Sequence, residues 1–150
     1  MKDRIKFNDA MLAAVMDGRK TQTRRPIEPQ PKVTEDELRK LGAWQEGYTL
    51  SEQVCAAWRH RFVDVDCPYG EIGDIINIAD KNGNIKGKIE ITDVWLQQVN
   101  DISESDAKAE GFDGELSTYP SEFALMWNSI YGIDSWINNE WVWVIEFKRV

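Results

Sequence analysis

The sequence predicts an α+β fold: a small mixed β-barrel with flanking helices. Three observations support this prediction, namely short segments rich in β-branched residues, turn signals between them, and a few segments with apolar residues at helical spacing. The chain has 150 residues and 42% of them are hydrophobic, so we expect a single globular domain over residues 1–150 with its own core.

The N-terminal segment predicts a short strand at residues 5–7, followed by a helix. Asn8 or Asp9 can cap this helix, and Gly18 can end it in the left-handed conformation common after helices. Apolar residues follow at helical spacing, at Met11, Leu12, Val15 and Met16. Residues 18–25 therefore form a turn that leads into an extended segment.

In the middle of the chain, the apolar residues have no regular spacing. Three prolines interrupt regular structure, at Pro26, Pro29 and Pro31. Residues 35–41 are compatible with a short helix, but we interpret residues 32–58 as an irregular insertion between core elements. Trp44 and Tyr48 lie there, where core packing gives no reason for an aromatic ring, so Trp44 is a candidate for stacking on a ligand.

The second half of the chain alternates between strand and helix patterns. Strands are predicted at residues 61–65, 75–78, 87–96 and 141–147. Helices are predicted at residues 103–110 and 120–131. Asn82-Gly83 predicts a hairpin turn, and Gly111 a helix end. The closing strand carries apolar residues at both even and odd positions, so we expect both of its faces to be buried.

The net charge and its distribution along the chain exclude some classes of binding partner. The formal net charge is −8, yet residues 1–32 hold eight of the 18 Lys and Arg and four of the 26 Asp and Glu. Residues 1–32 therefore carry a formal charge of +4, and residues 33–150 carry a formal charge of −12. A protein that coats DNA or RNA is basic, because phosphate neutralisation supplies most of its affinity. We therefore expect a small ligand or a contact confined to a small patch, and no extended duplex.

The sequence contains few features that indicate a cellular compartment or a metal site. No apolar run approaches membrane-spanning length, and no apolar signal core follows the N-terminus, so we expect a cytoplasmic protein without a membrane partner. Cys55, His60 and Cys67 lack the number and spacing of ligands of a zinc site. We expect two buried thiols and a surface histidine, and no metal.

Residues 18–25 read Gly-Arg-Lys-Thr-Gln-Thr-Arg-Arg and are the main candidate for chemistry. Burial and neighbouring cations lower a lysine pKa, and neutral Lys20 can then take the hydroxyl proton of Thr23. Glu110, on a later helix, can act as a general acid if burial raises its pKa. Two other interpretations stay open, namely a polyanion-binding turn and a solvated basic turn.

The order of several motifs resembles the ASCH domain. The signature Gly18-Arg19-Lys20-Thr21, with Thr23 and Arg25, follows the N-terminal helix, and residues 73–76, 88–94 and 144–147 agree in order. The resemblance covers nearly the whole chain except about 30–60. It implies a PUA-like barrel associated with RNA. The longer form seen here looks like ASCH proteins encoded by phages and prophages, which implies a location in the host cytoplasm.

One branch of ASCH proteins hydrolyses 4-acetylcytidine to cytidine and acetate. The resemblance implies that Lys20 is its base, Thr23 its nucleophile, and Glu110 the acid that protonates the leaving amine, without a cofactor. In this mechanism we expect Arg25 to hold the substrate or the glutamate and Arg19 to meet phosphate or ribose. The predicted substrate-binding residues are Arg19, Arg24, Arg25 and Trp44.

The function expected from these observations is a nucleoside- or RNA-directed hydrolase whose partner is a small nucleoside or a short single-stranded RNA. The alternatives are a non-catalytic module for RNA or a modified base, a single-stranded RNA ribonuclease, and a phage protein that binds a host protein. The compact amidohydrolases lack an insertion like residues 32–58, so the acyl substrate itself is left open.

Overall fold

The structure is a computed structural model that describes residues 2–40, 42, 44–60, 65–112 and 118–150. Its strands are β1 Arg4–Lys6, β2 Gln22–Pro26, β3 Ile75–Ala79, β4 Ile85–Gln98 and β5 Trp141–Arg149. Its helices are α1 Asp9–Met16, α2 Glu35–Lys40, α3 Leu50–Arg59, α4 Glu104–Ala109, α5 Tyr119–Tyr131 and α6 Ile133–Ile137. Within these ranges, every helix is too short or too polar to cross a membrane.

The strands form one sheet in the order β1-β3-β4-β5-β2. β1 is parallel to β3, and the other neighbours are antiparallel. The predicted mixture of strands and helices is confirmed, but closure into a barrel is not observed, because β1 and β2 are edge strands that pair only with their inner neighbours in the described part of the chain. A side chain spans this gap: Arg25 donates to the carbonyl oxygen of Lys6 at 2.7 Å.

Strand β5 separates two hydrophobic cores. Its odd-numbered residues from Trp141 to Phe147 pack into the larger core with α1, α3 and the neighbouring strands. Val142 and Val144 pack on the opposite face with Phe123 and Trp127 of α5. Since successive strand residues point to opposite faces, the unbroken apolar run fits a strand covered on both sides. The predicted burial of both faces is therefore confirmed.

Helix α1 has the predicted limits. The Asn8 side chain accepts a hydrogen bond from the Met11 amide at 2.9 Å, and Gly18 has a φ of +86°. The chain then turns back, because the Lys20 amide donates to the carbonyl oxygen of Ala14 at 3.0 Å. This reversal places β2 directly beside the end of α1.

The interpretation of residues 32–58 as irregular missed a helix. Helix α3 begins with a capping box in which Thr49 and Glu52 each accept a hydrogen bond from the other's amide. Val54 and Ala57 are buried in the larger core, so α3 is a core element. The expected helix near residue 35 is confirmed as α2. Most of the strand predicted at residues 61–65 lies outside the described residues.

The remaining predicted elements agree with the structure. Asn82-Gly83 joins β3 to β4, and Gly83 has a φ of +88°. Ser103 caps α4 by accepting from the Asp106 amide at 3.1 Å, and Gly111, with a φ of +109°, follows its end. Helix α5 matches the prediction, whereas the short helix α6 was not predicted.

Candidate active site

A pocket of about 210 Å³ lies between the two edge strands and α5. Its walls combine aromatic rings with titratable side chains from four separate parts of the chain. The aromatic residues are Phe7, Trp127 and Tyr131. The titratable and hydroxyl residues used below are Lys20, Thr23, Arg24, Arg25 and Glu110.

Lys20 and Glu110 form a buried ion pair in this pocket. The Nζ atom of Lys20 donates to Oε1 of Glu110 at 3.0 Å and to the Glu110 backbone carbonyl oxygen at 3.1 Å. The side chains of both residues are 2% exposed. Removing two charges from water is costly, so the structure must balance them by hydrogen bonding.

Burial lowers the pKa of Lys20 from its ordinary value of 10.5. The main cause is desolvation, which disfavours the ammonium; the positive charges of Arg25 and Arg24 act in the same direction, while Glu110 opposes them. The net effect is a pKa lower than that of a lysine in water, so burial favours the neutral form of this amine, which can accept a proton.

Arg24 provides the second cation for Glu110. Its guanidinium donates to Oε2 of Glu110 at 3.2 Å and to Oε1 of Gln22 at 3.0 Å. It also donates twice to Oε1 of Gln97 and lies 3.4 Å from Asp106. The side chain of Arg24 is 0% exposed. Arg24 is therefore a second buried cationic partner of Glu110, besides Lys20.

Thr23 and Arg25 occupy alternate positions of β2, so their side chains share one face. The Nε atom of Arg25 donates to Oγ1 of Thr23 at 3.2 Å. Thr23 is 3% exposed, and no hydrogen bond links it directly to Lys20 among those of the described residues. A cation that donates to this hydroxyl oxygen stabilises negative charge developing there.

Tyr131 closes one side of the pocket. Burial raises the pKa of its hydroxyl, an effect that the nearby positive charge of Arg25 only partly offsets. Its phenol therefore stays protonated at neutral pH and can donate a hydrogen bond to a ligand.

Backbone contacts hold the end of α4 against the start of β2. The Thr21 amide donates to the carbonyl oxygen of Ala109 at 2.7 Å. Gly111 makes the approach possible: a Cβ atom there would lie 3.0 Å from the Cβ of Ala14 and 3.1 Å from that of Lys20. Two residues 90 positions apart are thus brought together because a glycine follows Glu110.

The structure brings five of the seven predicted site residues to the pocket and leaves two outside its lining. Arg19 is exposed, pairs with Asp17 at 2.8 Å, and donates to the Gly111 carbonyl oxygen. Trp44 is partly buried against the larger core, with the guanidinium of Arg39 5.0 Å from its ring centre. For these two residues, substrate binding stays a prediction without support from the pocket geometry.

Three polar residues of the site were not predicted. Gln22, Gln97 and Asp106 surround Arg24, and the Gln22 amide donates to Asp106 at 3.1 Å. Gln22 lies inside the 18–25 motif, so its position was a usable signal. The other two are ordinary polar residues until the fold brings them to Arg24.

The cysteines and the histidine lie apart from this pocket. Cys55 is buried and Cys67 partly buried, where burial raises the Cys67 thiol pKa. His60 is exposed. In the described portion of the chain, no group of three or more His, Cys, Asp or Glu side chains is placed to hold a metal ion.

Comparisons with known proteins add information about the fold. No protein-family model and no curated protein matches the sequence. Among solved structures, the DUF984 protein EF3133 of Enterococcus faecalis V583 is similar with a TM-score of 0.54 and 19% identity, over 100% of this chain and 77% of that one. An ASCH domain from Lactobacillus crispatus JV V101 is similar with a TM-score of 0.54 and 14% identity, over 94% and 70% of the two chains.

The fold is ASCH-like. The hypothetical protein PH0355 shares it, with a TM-score of 0.54 and 14% identity over 100% of both chains. An ASCH-like fold is consistent with the order of motifs in the sequence, from the 18–25 turn to the closing strand. At these identities the likeness concerns the fold, so the function is argued from the pocket itself.

Proposed function

We propose that this chain is a nucleoside-directed amidohydrolase that removes an acyl group from the exocyclic amine of a modified base, as in 4-acetylcytidine. The observation that carries the proposal is the buried pair of Lys20 and Glu110, 3.0 Å apart, in a pocket that also contains the Thr23 hydroxyl. A base, a nucleophile and an acid in one hollow are the groups that acyl transfer requires.

The dimensions of the pocket favour a small substrate. At about 210 Å³ it is smaller than the roughly 300–1,000 Å³ typical of sites for drug-sized ligands. Tyr131, which is 38% exposed, offers aromatic surface to a planar ring, and the buried rings of Phe7 and Trp127 form the walls behind it. An acylated base fits this description, whereas a folded RNA does not enter such a pocket.

One proton transfer supplies both catalytic forms. Moving a proton from Nζ of Lys20 to Oε1 of Glu110, along their 3.0 Å hydrogen bond, gives a neutral amine and a protonated acid. The lowered pKa of Lys20 favours this transfer. Arg24 remains charged throughout, and it then has Gln22, Gln97 and Asp106 as partners.

The reaction then proceeds in two stages. Neutral Lys20 accepts the hydroxyl proton of Thr23 through a bridging water, while Arg25 stabilises the negative charge that develops on Oγ1. Oγ1 then bonds to the acyl carbon, and the π electrons of the C=O bond move to the carbonyl oxygen until the carbonyl re-forms in the next step. The C–N bond breaks with its electron pair going to the amine, which takes the proton of Glu110. Lys20 and Glu110 are charged again, and water hydrolyses the Thr23 ester to release the carboxylic acid.

Burial favours this proposal over a binding module for RNA. Lys20 and Arg24 are each 3% exposed, so they cannot form a displayed cationic track. Arg19 is exposed but already pairs with Asp17. Lys20 and Arg24 therefore do not present their charges to a nucleic-acid backbone, as the cations of an RNA-binding surface do.

The test is incubation of the protein with 4-acetylcytidine, with cytidine release followed by chromatography. Thr23→Val removes the hydroxyl and keeps the shape, so we expect kcat to fall by at least about 1,000-fold. Thr23→Ser keeps a hydroxyl and should retain measurable activity.

Lys40→Ala is the control variant, because Lys40 is exposed on α2 and does not line the pocket. No conversion of 4-acetylcytidine or of a panel of acylated nucleosides, at high protein concentration, would contradict the proposal. Unchanged turnover by Thr23→Val would remove Thr23 as the nucleophile.

A further inference from the structure

A basic groove of about 710 Å³ adjoins the candidate active site. It runs along β1 and the β3–β4 turn, and its cationic residues are Lys2, Arg4, Lys6 and Arg25. Lys6 and Arg25 line both the groove and the pocket that contains Thr23. A ligand held in the pocket can therefore extend into the groove without leaving the protein surface.

The cations of the basic groove are poorly neutralised. In the described parts of the chain, no carboxylate lies within 4.0 Å of the charged groups of Lys2, Lys6 or Arg25. Arg4 pairs with Asp3 at 2.9 Å, and the Asp3 side chain is 73% exposed. In a chain with a net charge of −8, three unpaired cations at one groove favour an anionic ligand.

Arg25 connects the basic groove to the nucleophile. Its guanidinium donates to Oγ1 of Thr23 at 3.2 Å and to the carbonyl oxygen of Lys6 at 2.7 Å. Arg25 also lines a third depression, of about 520 Å³, whose lining includes Tyr69 and Tyr131 as well as the carboxyl groups of Glu28 and Asp66. An anion bound beside Arg25 would thus lie next to the catalytic pocket and next to an aromatic surface.

We propose that the basic groove binds a phosphate group of the substrate, so that the preferred substrate is a nucleoside monophosphate whose acylated base occupies the pocket. This inference rests on the proposed function. Lysine and arginine side chains recognise phosphate by charge-assisted hydrogen bonds, and the ammonium groups of Lys2 and Lys6 are exposed, that of Lys2 5.2 Å from the ring centre of Tyr69. The small pocket and the larger groove then receive the base and the phosphate respectively.

Binding is tested first with the full-length Thr23→Val variant, so that no turnover is needed. Calorimetric titrations would compare cytidine, its 5′- and 3′-monophosphates, and inorganic phosphate. We expect at least one monophosphate to bind about tenfold more tightly than cytidine and than inorganic phosphate, with an affinity that falls as NaCl is added. Lys2→Ala and Lys6→Ala should each reduce this advantage, whereas Lys40→Ala should not.

Hydrolysis is tested separately with the wild-type protein. The ratio of kcat/KM for the preferred 4-acetylcytidine monophosphate to that for 4-acetylcytidine should be about ten, and Lys6→Ala should lower this ratio. A ratio of one together with equal binding of cytidine and both monophosphates would overturn the phosphate subsite while leaving the hydrolase intact.

A different set of results would show that the proposed function is wrong while the phosphate subsite is right. Lys6-dependent binding of a monophosphate without hydrolysis of any acylated nucleoside would keep the subsite and remove the amidohydrolase. Inorganic phosphate that binds as tightly as both monophosphates would overturn the inference, because the nucleoside would then contribute nothing at this site.

Discussion

Glu110 accepts hydrogen bonds from two buried cations, and each of its carboxylate oxygens has one of them as a partner. Glu110→Gln keeps the shape but leaves Lys20 and Arg24 without a buried counter-charge. Breaking a buried ion pair in this way typically costs about 3–5 kcal/mol. We expect the free energy of unfolding to fall by that amount, measured by urea denaturation at pH 7.

Asp106→Asn is the matched control for this prediction. Asp106 also contacts Arg24, at 3.4 Å, but its side chain is 28% exposed and water can replace part of the interaction. We expect its substitution to cost about 1 kcal/mol or less. Equal costs for the two variants would contradict the importance assigned to Glu110.

Lys20 makes stability depend on pH in a defined direction. Its pKa is lowered in the folded protein relative to the ordinary 10.5, so between the two pKa values the unfolded chain binds more protons. The stability of the wild type therefore rises with pH in this window, by at most about 1.4 kcal/mol per pH unit, and the gain is lost as pH falls through the folded pKa.

Lys20→Met removes this contribution. Urea denaturation at several pH values between 7 and 10 should show the wild type gaining stability relative to Lys20→Met as pH rises. A difference that stays constant over this range would show that the amine keeps an ordinary pKa in the folded protein.

Sequence reasoning at the residue scale identified groups whose chemistry is unusual in itself. A lysine, a threonine and an arginine in one short motif are visible locally, and Glu110 was found through its place after the long strand. Gln97 and Asp106 were missed because their roles depend on Arg24, which is distant in sequence. Trp44 was chosen for the absence of a packing reason, yet it packs on the core.

At the scale of elements, the end of α4 and the start of β2 fit together through Gly111. Gly111→Ala would place a methyl group 3.0 Å from the Cβ of Ala14 at a φ of +109°. Both strain and overlap oppose this, so we expect a loss of about 3 kcal/mol and a further loss of turnover as Glu110 moves away from Lys20. Thermal denaturation and the 4-acetylcytidine assay measure these effects.

Gly73→Ala separates strain from overlap. Gly73 has a φ of +94°, but an added Cβ would meet no atom within 4 Å. We expect this variant to lose only about 1–2 kcal/mol and to keep its activity. Similar losses in both variants would mean that the close approach of α4 does not matter.

The predictability of individual elements followed the strength of their local signals. The limits of α1 and α4 were found from caps and glycines, which act within a few residues. Helix α3 carried an equally local signal, the Thr49–Glu52 capping box, but its polar surface obscured the apolar positions at Val54 and Ala57. Residues 32–58 were interpreted as irregular because their aromatic residues show no regular spacing. The capping box that marks the start of α3 was given too little weight.

On the scale of the whole molecule, β5 links the two cores into one unit. It pairs with β4 and β2 while its faces contribute to both cores. We therefore expect the two cores to unfold in one transition. Methyl resonances of Val144 and Ile145, which lie on opposite faces, should disappear at the same urea concentration. Two separate midpoints would show that the cores are independent.

The mixture of strands and helices was predicted correctly, but the prediction that the sheet closes into a barrel was not confirmed. The pattern of apolar residues along a strand predicts which of its faces are buried, as the unbroken apolar run of β5 shows. Closure depends on whether the two edge strands pair, and β1, with three residues, and β2, with five, carry no sequence signal for that. The barrel was expected from the strand and turn pattern as well as from the resemblance, and the strand pairings give an open sheet.

The bond from Arg25 to the last carbonyl of β1 is made by one side chain, without a backbone ladder. The separation of the two edge strands can therefore change by exchanging a single amino acid, while every strand keeps its hydrogen-bonded neighbour in the sheet. A shorter residue at position 25 would lose the hydrogen bond to Lys6 and widen the space between β1 and β2.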